Sequence, residues 1–549
     1  MLEKSLLKEE MHFVSKEAEK CVKLLKEAEN SDVLCVYGLG LGYFYLAAKQ
    51  WLKEKENRSL VFLEDEKEVF DKFSQTTLAK AISKDKRVKI YFFKDLEKKS
   101  KEIAWENIFL EVKIISYLKD KQEKFKNIKK ELERALLGVH LVASDYSDFG
   151  ISHFFNVFSN VLKTPKIKLA KHLKNSFKDV PAIICGAGPS IEKNIDHLKQ
   201  LTDKALILAG GSALNVLSEN KIKPHFAASI DKEAPFQRFK KHKFFDVPFF
   251  YQNQMSAKNF SFLQKQKLLV GDNGEYQLEK WLYNKIGIEI DTFDTGWTVA
   301  TFLLSLAHFM GCNPIIFVGL DCSFKNNRYA KGVKEGSENY TLIKAKDIYN
   351  QEIFTQKDWI EAANWIAEFA KDKEIYNANG EGLYIKNVKE EKLLSLSKKN
   401  FLKTSKELAA LTQQKLQKIE YVYLEKTEKT VQEIMDNAQF CINLCIEALR
   451  EMEEGKSLAI EKLQSQFFYS YHLLPLWRIF YFVIKRELEK EESHHSFDFI
   501  LLLNKIIFFK NVCEQFAAMS KRVLIKKKIF HKVKRLWLKK EGKQHAKSD

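Results

Sequence analysis

The segment Pro181–Ser190 constrains the fold most, because a short apolar run there gives way to two glycines, a proline and a serine. Gly186 and Gly188 lack the Cβ atom that would keep a phosphate away from backbone N–H groups. Pro189 suits the first turn of a helix, and Ser190 adds a hydroxyl donor beside the positive helix end. A strand that ends in this way indicates a nucleotide-phosphate site. Tight packing of a strand on a helix explains the same turn equally well.

Two further turns of the same kind follow along the chain. Asp294–Gly296 precedes an apolar, helix-patterned run over Thr298–Met310, and Gly319–Asp321 follows the predicted strand Pro314–Val318. Ligands of open α/β sheets bind outside the carboxyl ends of the strands. We therefore expect these two turns and Gly186–Ser190 to face one crevice.

Together these motifs resemble a known family. The sequences GAGPS (186–190), SID (229–231), DTGWTVA (294–300) and VGLD (318–321) resemble the domain of the motility associated factor (Maf) proteins. The same domain occurs in archaeal 6-hydroxymethylpterin diphosphokinases, the MptE-like proteins. The motif order is also similar to bacterial CMP-sialic acid sialyltransferases, in which a tyrosine follows the Gly-Ile-Asp turn after eight residues, as Tyr329 follows Asp321 here. The resemblance covers about residues 150 to 390.

The resemblance implies a glycosyltransferase. Maf proteins attach nonulosonic, sialic-acid-like sugars to Ser and Thr of flagellin, so a CMP-sugar donor and a flagellin-like acceptor protein are the expected partners. The transfer requires no cofactor. A Mg²⁺-dependent diphosphokinase that binds ATP and the metal through Asp231 and Asp321 is an alternative. A non-catalytic nucleotide-binding scaffold is another, because a histidine and two asparagines of the resembling sialyltransferases are changed here.

The resemblance also implies a set of residues that bind the nucleotide sugar. These residues are Gly186, Ala187, Gly188, Pro189, Ser190, Gly211, Ser212, Asp231, Thr295, Gly296 and Asp321. Asp231 ends a predicted strand and is a ribose or metal contact, or the N-cap of a helix over Glu233–Lys241. Thr295 and Gly296 are expected to offer hydroxyl and N–H donors to the carboxylate of the sugar.

Sialyl-type transfer also requires a donor to the departing phosphate and a general base. Tyr329 is the candidate phosphate donor, and Ser323 stands where the resembling enzymes have a second tyrosine. The histidine base of those enzymes has no counterpart here, so Glu352 and Asp347 are the candidate bases. His308 lies in the middle of an apolar helix pattern and is interpreted as a packed core residue.

The length of 549 residues indicates several domains, and the predicted fold class is α/β. Residues 1–150 are predicted to form a smaller Rossmann-like α/β domain, with the glycine loop Gly38–Gly42 and Glu64 at the end of the next strand. The loop resembles that of S-adenosylmethionine methyltransferases, and a structural or degenerate nucleotide fold is the preferred interpretation. Residues 151–388 are predicted to form a Rossmann-like, doubly wound domain, and residues 389–549 a helical bundle.

The net charge of +18 is concentrated partly in Lys521–Lys540, which holds ten Lys or Arg and no acidic residue. This predicted amphipathic helix could contact an anionic membrane or nucleic acid, or be a solvated terminal helix.

Residues Phe467–Ile484 are interpreted as a buried helix pair, since His472, Pro475 and Arg478 interrupt them. The N-terminus has no signal pattern, which predicts a cytoplasmic protein. The eight cysteines have no paired spacing, so no metal site is predicted, and the bundle could support a homo-oligomer.

Overall fold

The computed structural model describes residues 23–545 except 119, 234–246, 264–265, 273–275, 325–341, 400–401, 403–406 and 491–495, with side chains as far as Val523. The chain forms two compact units. The first contains the chain up to Asp148 together with Leu474–Phe508, and the second contains Phe149–Leu473 and the chain from Phe509 onward.

The first unit is built on a parallel four-stranded sheet with the strand order β3-β2-β1-β4. Its strands and helices are β1 (Val33–Tyr37), α1 (Phe44–Glu54), β2 (Ser59–Glu64), α2 (Lys67–Ser74), α3 (Thr77–Ile82), β3 (Val88–Phe92), α4 (Leu96–Glu106) and β4 (Val112–Ser116). The apolar runs of β1 and β2 are buried along nearly their whole length, as in parallel sheets covered on both faces. The predicted N-terminal α/β fold is confirmed.

One helix, α5 (Gln122–Lys163, 42 residues), follows this sheet. The sequence predicted separate helices over Lys121–Leu137 and Ile151–Thr164, which is wrong because the helix is continuous. The intervening stretch contains glycine but no proline. Glycine in a helix costs only about 1 kcal/mol, and proline is required to break the hydrogen-bond ladder outright.

A ten-stranded sheet organises the second unit. Its strands, together with a separate antiparallel hairpin of β12 and β13, are β5 (Lys166–Leu169), β6 (Ala182–Cys185), β7 (Leu206–Gly210), β8 (Phe226–Ser229), β9 (Phe249–Tyr251), β10 (Lys267–Leu269), β11 (Ile315–Val318), β12 (Ile343–Lys346), β13 (Glu352–Thr355), β14 (Ile375–Asn377), β15 (Lys389–Glu390) and β16 (Val422–Tyr423). The order is β15-β14-β11-β6-β7-β8-β9-β10-β5-β16. Only the pairing of β16 with β5 is antiparallel within this sheet.

The order of the strands reverses beside β6. From β6 the chain adds β7 to β10 on one side, and then β11 and β14 on the other. Because all these strands are parallel, their carboxyl ends lie at one edge, and β6 and β11 flank the topological switch point. The Rossmann-like, doubly wound fold predicted for this region is confirmed.

Helices cover the sheet and dominate the C-terminal part of the chain. They are α6 (Ile195–Lys199), α7 (Ala213–Glu219), α8 (Ala257–Phe260), α9 (Gln277–Lys285), α10 (Val299–Phe309), α11 (Lys357–Phe369), α12 (Leu393–Ser397), α13 (Leu408–Gln417), α14 (Thr427–Glu453), α15 (Leu458–Gln464), α16 (Leu474–Leu488) and α17 (Phe497–His545). The compact units divide the predicted domain 389–549, since Leu474–Phe508 belongs to the first unit. No described helix is both long enough and apolar enough to cross a bilayer.

The interpretation of Phe467–Ile484 as a helix pair is wrong, because the backbone is helical throughout. A π turn over Tyr469–Leu473 runs directly into α16. Pro475 lacks an N–H group and its ring collides with the carbonyl one turn earlier in a regular α-helix. The wider π turn before the proline is a known way of absorbing such an irregularity.

The second half of α5 fixes the loops that follow β8 and β9. Asn160 donates from Nδ2 to the carbonyls of Asn253 and Met255 at 2.9 and 2.8 Å. Asn156 donates from Nδ2 to the carbonyl of Lys232 at 2.9 Å. Both amides are buried, and they supply the hydrogen bonds that these loop carbonyls require away from water. The loop that carries the predicted site residue Asp231, next to Lys232, is therefore held in place by α5.

Candidate functional site

The carboxyl ends of β6, β7, β8 and β11 enclose a cavity of about 250 Å³, closed by the first turns of α10 and α11. The predicted residues that line it are Gly186, Ala187, Gly188, Pro189, Gly211, Ser212, Asp231, Asp321 and Ser323. The structure therefore brings together residues from four separate turns, up to 137 positions apart, at the switch point of the sheet.

Asp321 holds the turn that follows β6. Its Oδ2 accepts the backbone N–H of Ser190 at 3.0 Å, and its Oδ1 accepts the hydroxyl of the same serine. Ser190 is fully buried and Asp321 is 5% exposed. Burial raises the pKa of Asp321 to about 6, although the hydrogen bonds from Ser190 act to lower it. The carboxylate thus caps the 3₁₀ turn Pro189–Asn194 and ties the end of β11 to it.

The glycines of this turn are required by packing. A Cβ atom on Gly186 would lie 2.2 Å from the carbonyl oxygen of Gly319, and one on Gly188 would lie 2.5 Å from Oδ2 of Asp321. Gly211 differs, because it has a φ of +52° and open space where its Cβ would stand. Of these three glycines, only Gly211 leaves room that a ligand could use.

The backbone N–H groups of the Gly186–Ser190 turn are already engaged. Gly186 donates to the carbonyl of Val318 and Gly188 to that of Gly319, both at 2.8 Å. The predicted phosphate cradle therefore has few N–H groups left to offer. The start of α10 is more suitable, because the N–H groups of Val299 and Ala300 have no acceptor within the helix and both residues line the cavity.

Residues 155–327 match the family model described as 6-hydroxymethylpterin diphosphokinase MptE-like. This segment is similar to the MptE-like domain family. The structure is similar to that of the MAf glycosyltransferase from Magnetospirillum magneticum AMB-1, with a TM-score of 0.52 and 14% sequence identity over 93% of this chain and 83% of that chain. None of the curated proteins matches the sequence. The predicted similarity to MptE-like proteins is confirmed for this segment, and the likeness to the MAf structure shows a shared fold.

Thr295 and Gly296 of the MptE-like domain do not reach the cavity. The carbonyl of Thr295 accepts the hydroxyl of Thr301 at 2.9 Å, and the N–H of Gly296 donates to Oδ1 of Asp294 at 2.9 Å. Thr298 lines the cavity instead, as the N-cap of α10 in a capping box with Thr301. Thr298 and Ala300 were not predicted as site residues, although hydroxyl residues three positions apart before an apolar run are a helix-start signal.

The two candidate bases lie on the β12–β13 hairpin outside the cavity. Oδ1 of Asp347 accepts the N–H groups of Tyr349 and Gln351, each at 2.8 Å, and so closes the hairpin turn. Glu352 is exposed and pairs with Lys344 at 3.0 Å. The structure therefore does not bring either carboxylate to the other predicted residues. Tyr329, like most of the predicted helix after Asp231, lies outside the described residues.

The environment of His308 differs from the one that the sequence predicts. The sequence suggested a packed core residue, which is wrong, because the residue is exposed on the last turn of α10. The apolar helix pattern extends to this position, but the side chain is not covered. Its ring contacts Phe369 edge-on at 5.4 Å.

Acidic and thiol groups are the ionisable side chains among the described residues that line the cavity. Burial raises the pKa of Cys185 and of Cys322 to about 12, so both remain neutral thiols at physiological pH. Asp231 and Asp321 are the carboxylates. Because no Lys or Arg lines this described part of the cavity, a bound phosphate must be met by backbone N–H groups and the positive end of α10.

The residues do not fit the magnesium site of the diphosphokinase alternative. Both carboxylate oxygens of Asp321 accept hydrogen bonds from Ser190. Among the residues that the structure describes, no group of three His, Cys, Asp or Glu side chains could hold a metal ion.

Trp359 forms an aromatic wall of the cavity and was not predicted. It lies in the first turn of α11, is half-buried, and its ring stands 4.5 Å from that of Phe324. The residues around Trp359 carry no motif. Its position depends on the packing of α11 beside β11, which the sequence does not indicate.

The N-terminal glycine loop is filled by side chains of its own unit. Glu64 is buried, and its carboxylate accepts the N–H groups of Leu39, Asp65 and Glu66 at 3.0 Å each. A Cβ atom on Gly38 would lie 2.6 Å from Leu118. The acidic residue that holds a ribose in nucleotide-binding Rossmann folds is thus engaged by the loop itself, which favours a structural role.

Proposed function

We propose that this protein is a glycosyltransferase that takes its sugar from a nucleotide-activated donor bound between β6, β7, β8 and β11. The observation that carries the proposal is the convergence of the turns after these four strands on one cavity at the switch point of the sheet. Nucleotides bind at this place in open α/β sheets. The match of residues 155–327 to the MptE-like family supports a nucleotide ligand.

The volume of about 250 Å³ suits the nucleotide half of such a donor. Complete ligand sites usually have volumes of about 300–1,000 Å³, so the sugar would extend out of the cavity toward the acceptor. The nucleoside would lie on Gly211 and Ser212, against the indole of Trp359. Its phosphate would meet the N–H groups of Val299 and Ala300 at the positive end of α10.

The transfer needs charge stabilisation on the leaving group and a base for the acceptor hydroxyl. As the sugar–phosphate bond breaks, negative charge develops on the phosphate oxygen, and the N-terminus of α10 is oriented to stabilise it. Asp231 lines the cavity just after β8, and both carboxylate oxygens of Asp321 accept hydrogen bonds from Ser190. We assign to Asp231 the removal of the acceptor proton, in place of Asp347 and Glu352.

The finer proposal is that the donor is a CMP-activated nonulosonic acid and the acceptor is a Ser or Thr of a flagellin-like protein. It is supported by the order of the motifs in the sequence and by the fold shared with a MAf glycosyltransferase. The wall of small residues after β7 accommodates a flat nucleobase but does not distinguish cytosine from other bases.

A thermal-shift screen with CMP, UDP and ATP, each with Mg²⁺ and with EDTA, tests the nucleotide class. Stabilisation by CMP in EDTA is expected, and a free ligand at 100 times its Kd would add about 2.7 kcal/mol to the free energy of unfolding. Stabilisation by ATP only with Mg²⁺ would instead support the diphosphokinase named in the family description. No shift with any nucleotide would support a non-catalytic scaffold.

The role of Asp231 is tested by Asp231→Asn. We expect transfer from a CMP-nonulosonic acid to flagellin, followed by intact-protein mass spectrometry, to slow by about 10²- to 10⁴-fold, which is the usual contribution of a general base. The thermal shift with CMP should persist. Asp347→Asn is the matched control and should retain wild-type turnover. Equal activity of Asp231→Asn and the wild type would contradict the assignment.

A further inference from the structure

Lys232 directly follows Asp231, the residue to which we assign the removal of the acceptor proton. Asp231 lines the nucleotide cavity, whereas Lys232 does not. The ammonium group of Lys232 instead donates to the hydroxyl of Tyr276 at 3.3 Å, and Tyr276 is the N-cap of α9. The side chains of these two adjacent residues therefore lie in different surroundings.

Two aromatic rings hold the ammonium group of Lys232. Its Nζ lies 5.0 Å from the ring centroid of Tyr276 and 5.8 Å from that of Phe149, which belongs to α5. A cation within about 6 Å of a ring face is attracted by the electrons of the ring. The side chain of Lys232 is thus held between α5 and the start of α9.

Main-chain hydrogen bonds restrain the same two residues. The carbonyl of Asp231 accepts the N–H of Ser256 at 3.0 Å, and the carbonyl of Lys232 accepts Nδ2 of Asn156 at 2.9 Å. These bonds fix the path of the loop after β8. The contacts of the ammonium group add a third restraint, which carries a charge.

A buried carboxyl group lies among the side chains around Lys232. Glu279 of α9 is 2% exposed, and its Oε2 lies 2.6 Å from Nε2 of His153. Its Oε1 accepts the hydroxyl of Tyr283. The ring of His153 also stacks on that of Tyr276, with centroids 3.6 Å apart. The aromatic and acidic groups therefore form one packed cluster.

The charges of Lys232 and Glu279 act on each other. Burial raises the pKa of Glu279 to about 7, whereas the hydrogen bond from Tyr283 and the charge of Lys232 act to lower it. Because this influence is mutual, ionised Glu279 attracts the ammonium group in return. Asp272, which lies after β10, is hydrogen-bonded to the same carboxyl group. The cluster therefore offers Lys232 an acidic environment away from the nucleotide cavity.

We propose that Lys232 is a positioning residue for the transfer reaction. Its ammonium group, held beside Glu279, keeps the carboxylate of Asp231 directed into the nucleotide cavity. This role rests on the proposed function, because Asp231 is the base assigned there. A displacement of about 1 Å at a reacting group can cost about 10²-fold in rate. A restraint on the next residue therefore acts on turnover without any contact with the substrate.

The variant Lys232→Met tests this role. We expect kcat for transfer from a CMP-nonulosonic acid to flagellin to fall by about 10- to 10²-fold. The KM for the donor and the thermal shift with CMP should stay as in the wild type, because Lys232 does not line the cavity. Lys232→Arg keeps a cation and should restore most of kcat.

The matched control is Lys280→Met, since Lys280 is an exposed residue of the same helix as Glu279. It should retain the kcat of the wild type, and circular dichroism checks the fold of each variant. Wild-type kcat in Lys232→Met would overturn the proposal. A loss of kcat that Lys232→Arg does not restore would also overturn it, because the charge would then have no part in the effect.

The same substitution in an Asp231→Asn background shows whether Lys232 acts through Asp231. We expect no further loss of kcat there, since residues that act as a unit are not additive. An equal fold-loss in both backgrounds would overturn the proposal. Failure of the proposed function is distinguishable, because it would appear as no transfer by the wild type or as undiminished transfer by Asp231→Asn.

Discussion

At the scale of single residues, Asp321 connects two turns that the cavity needs. Asp321→Ala would leave the buried N–H and hydroxyl of Ser190 without acceptors. We expect the free energy of unfolding to fall by about 2–4 kcal/mol, since each buried donor without a partner costs about 1–3 kcal/mol. Urea denaturation measures the change. Asp347→Ala, which removes a half-buried turn carboxylate, should cost less than Asp321→Ala, and an equal loss in both variants would contradict this role of Asp321.

Gly211 gives the sharpest test of ligand contact, because its substitution disturbs no packing. Gly211→Ala should weaken CMP binding, since the new methyl group enters the open space at the cavity. The variant should also lose about 1 kcal/mol of stability from its positive φ. Gly287→Ala is the matched control, with a φ of +79° and equally open surroundings. Isothermal titration calorimetry compares the two, and equal CMP affinities would exclude contact at Gly211.

The same comparison shows what the sequence could not reveal about single residues. A glycine at 186 or 188 is consistent with a phosphate or with close packing, and only the distance to Gly319 and Asp321 decides for packing. The open space beside Gly211 cannot be recognised from the sequence either. Asp321 could be predicted to lie at the crevice from its place after a strand, but its engagement by Ser190, 131 positions earlier, could not.

At the scale of elements, His225 extends the pairing of β7 with β8. Its Nδ1 accepts the N–H of Ile207 at 2.9 Å, and burial lowers the pKa of this imidazole to about 4. The folded state therefore binds fewer protons than the unfolded state between pH 6.5 and 4. The contribution of His225 is complete above pH 6.5 and is lost as the pH falls through this range, by about 3 kcal/mol in total.

The variant His225→Asn tests this pH dependence. An asparagine oxygen could accept the same N–H group but does not titrate. The free energy of unfolding of the variant should therefore fall less between pH 7 and pH 4 than that of the wild type. Other titratable groups, such as the buried His472, change the stability of the wild type and the variant equally with pH. Their effect therefore cancels in the difference between the two proteins. Urea denaturation at several pH values measures the difference. Parallel stability curves for wild type and variant would contradict the predicted role of His225.

Strands and helices differ in how far the sequence determined them. The strand β11 was predicted to within one residue at each end, because its apolar run is buried throughout. The hairpin β12–β13 was missed, since its alternation is weak and its strands are largely exposed. The continuity of α5 was missed because glycine lies in the stretch between the two predicted helices.

At the scale of the whole molecule, the first unit depends on a segment from far along the chain. Arg486 in α16 donates to the carbonyls of Glu106 and Ile108 at 2.8 and 2.7 Å, just after α4. A fragment of residues 1–148 lacks these donors. We expect it to unfold at lower urea concentration than the same fragment joined to residues 474–508 by a Gly/Ser linker. In both fragments α5 ends at the same residue, so the stability lost by truncating this helix is the same and cancels in the comparison.

The contribution of Arg486 is separated by substitution in the joined fragment. Arg486→Leu should remove about 1–3 kcal/mol of the added stability, because two partly buried carbonyls lose their donors. Lys490→Leu is the control, since Lys490 lies just after α16 and pairs, in the described structure, only with exposed Glu487. If the joined fragment and residues 1–148 unfolded together, Leu474–Phe508 would not be part of the unit.

The chain passes between its two units at residues 148, 473 and 508, each time within continuous helical backbone. Proteins assembled from modules usually exchange them through loops, where a crossover leaves both neighbours intact. A recombination event at any of these boundaries would instead join two half-helices and shift every side chain beyond the joint by 100° for each residue gained or lost. Relatives of this protein should therefore have inherited both units together, with insertions confined to the loops of each unit.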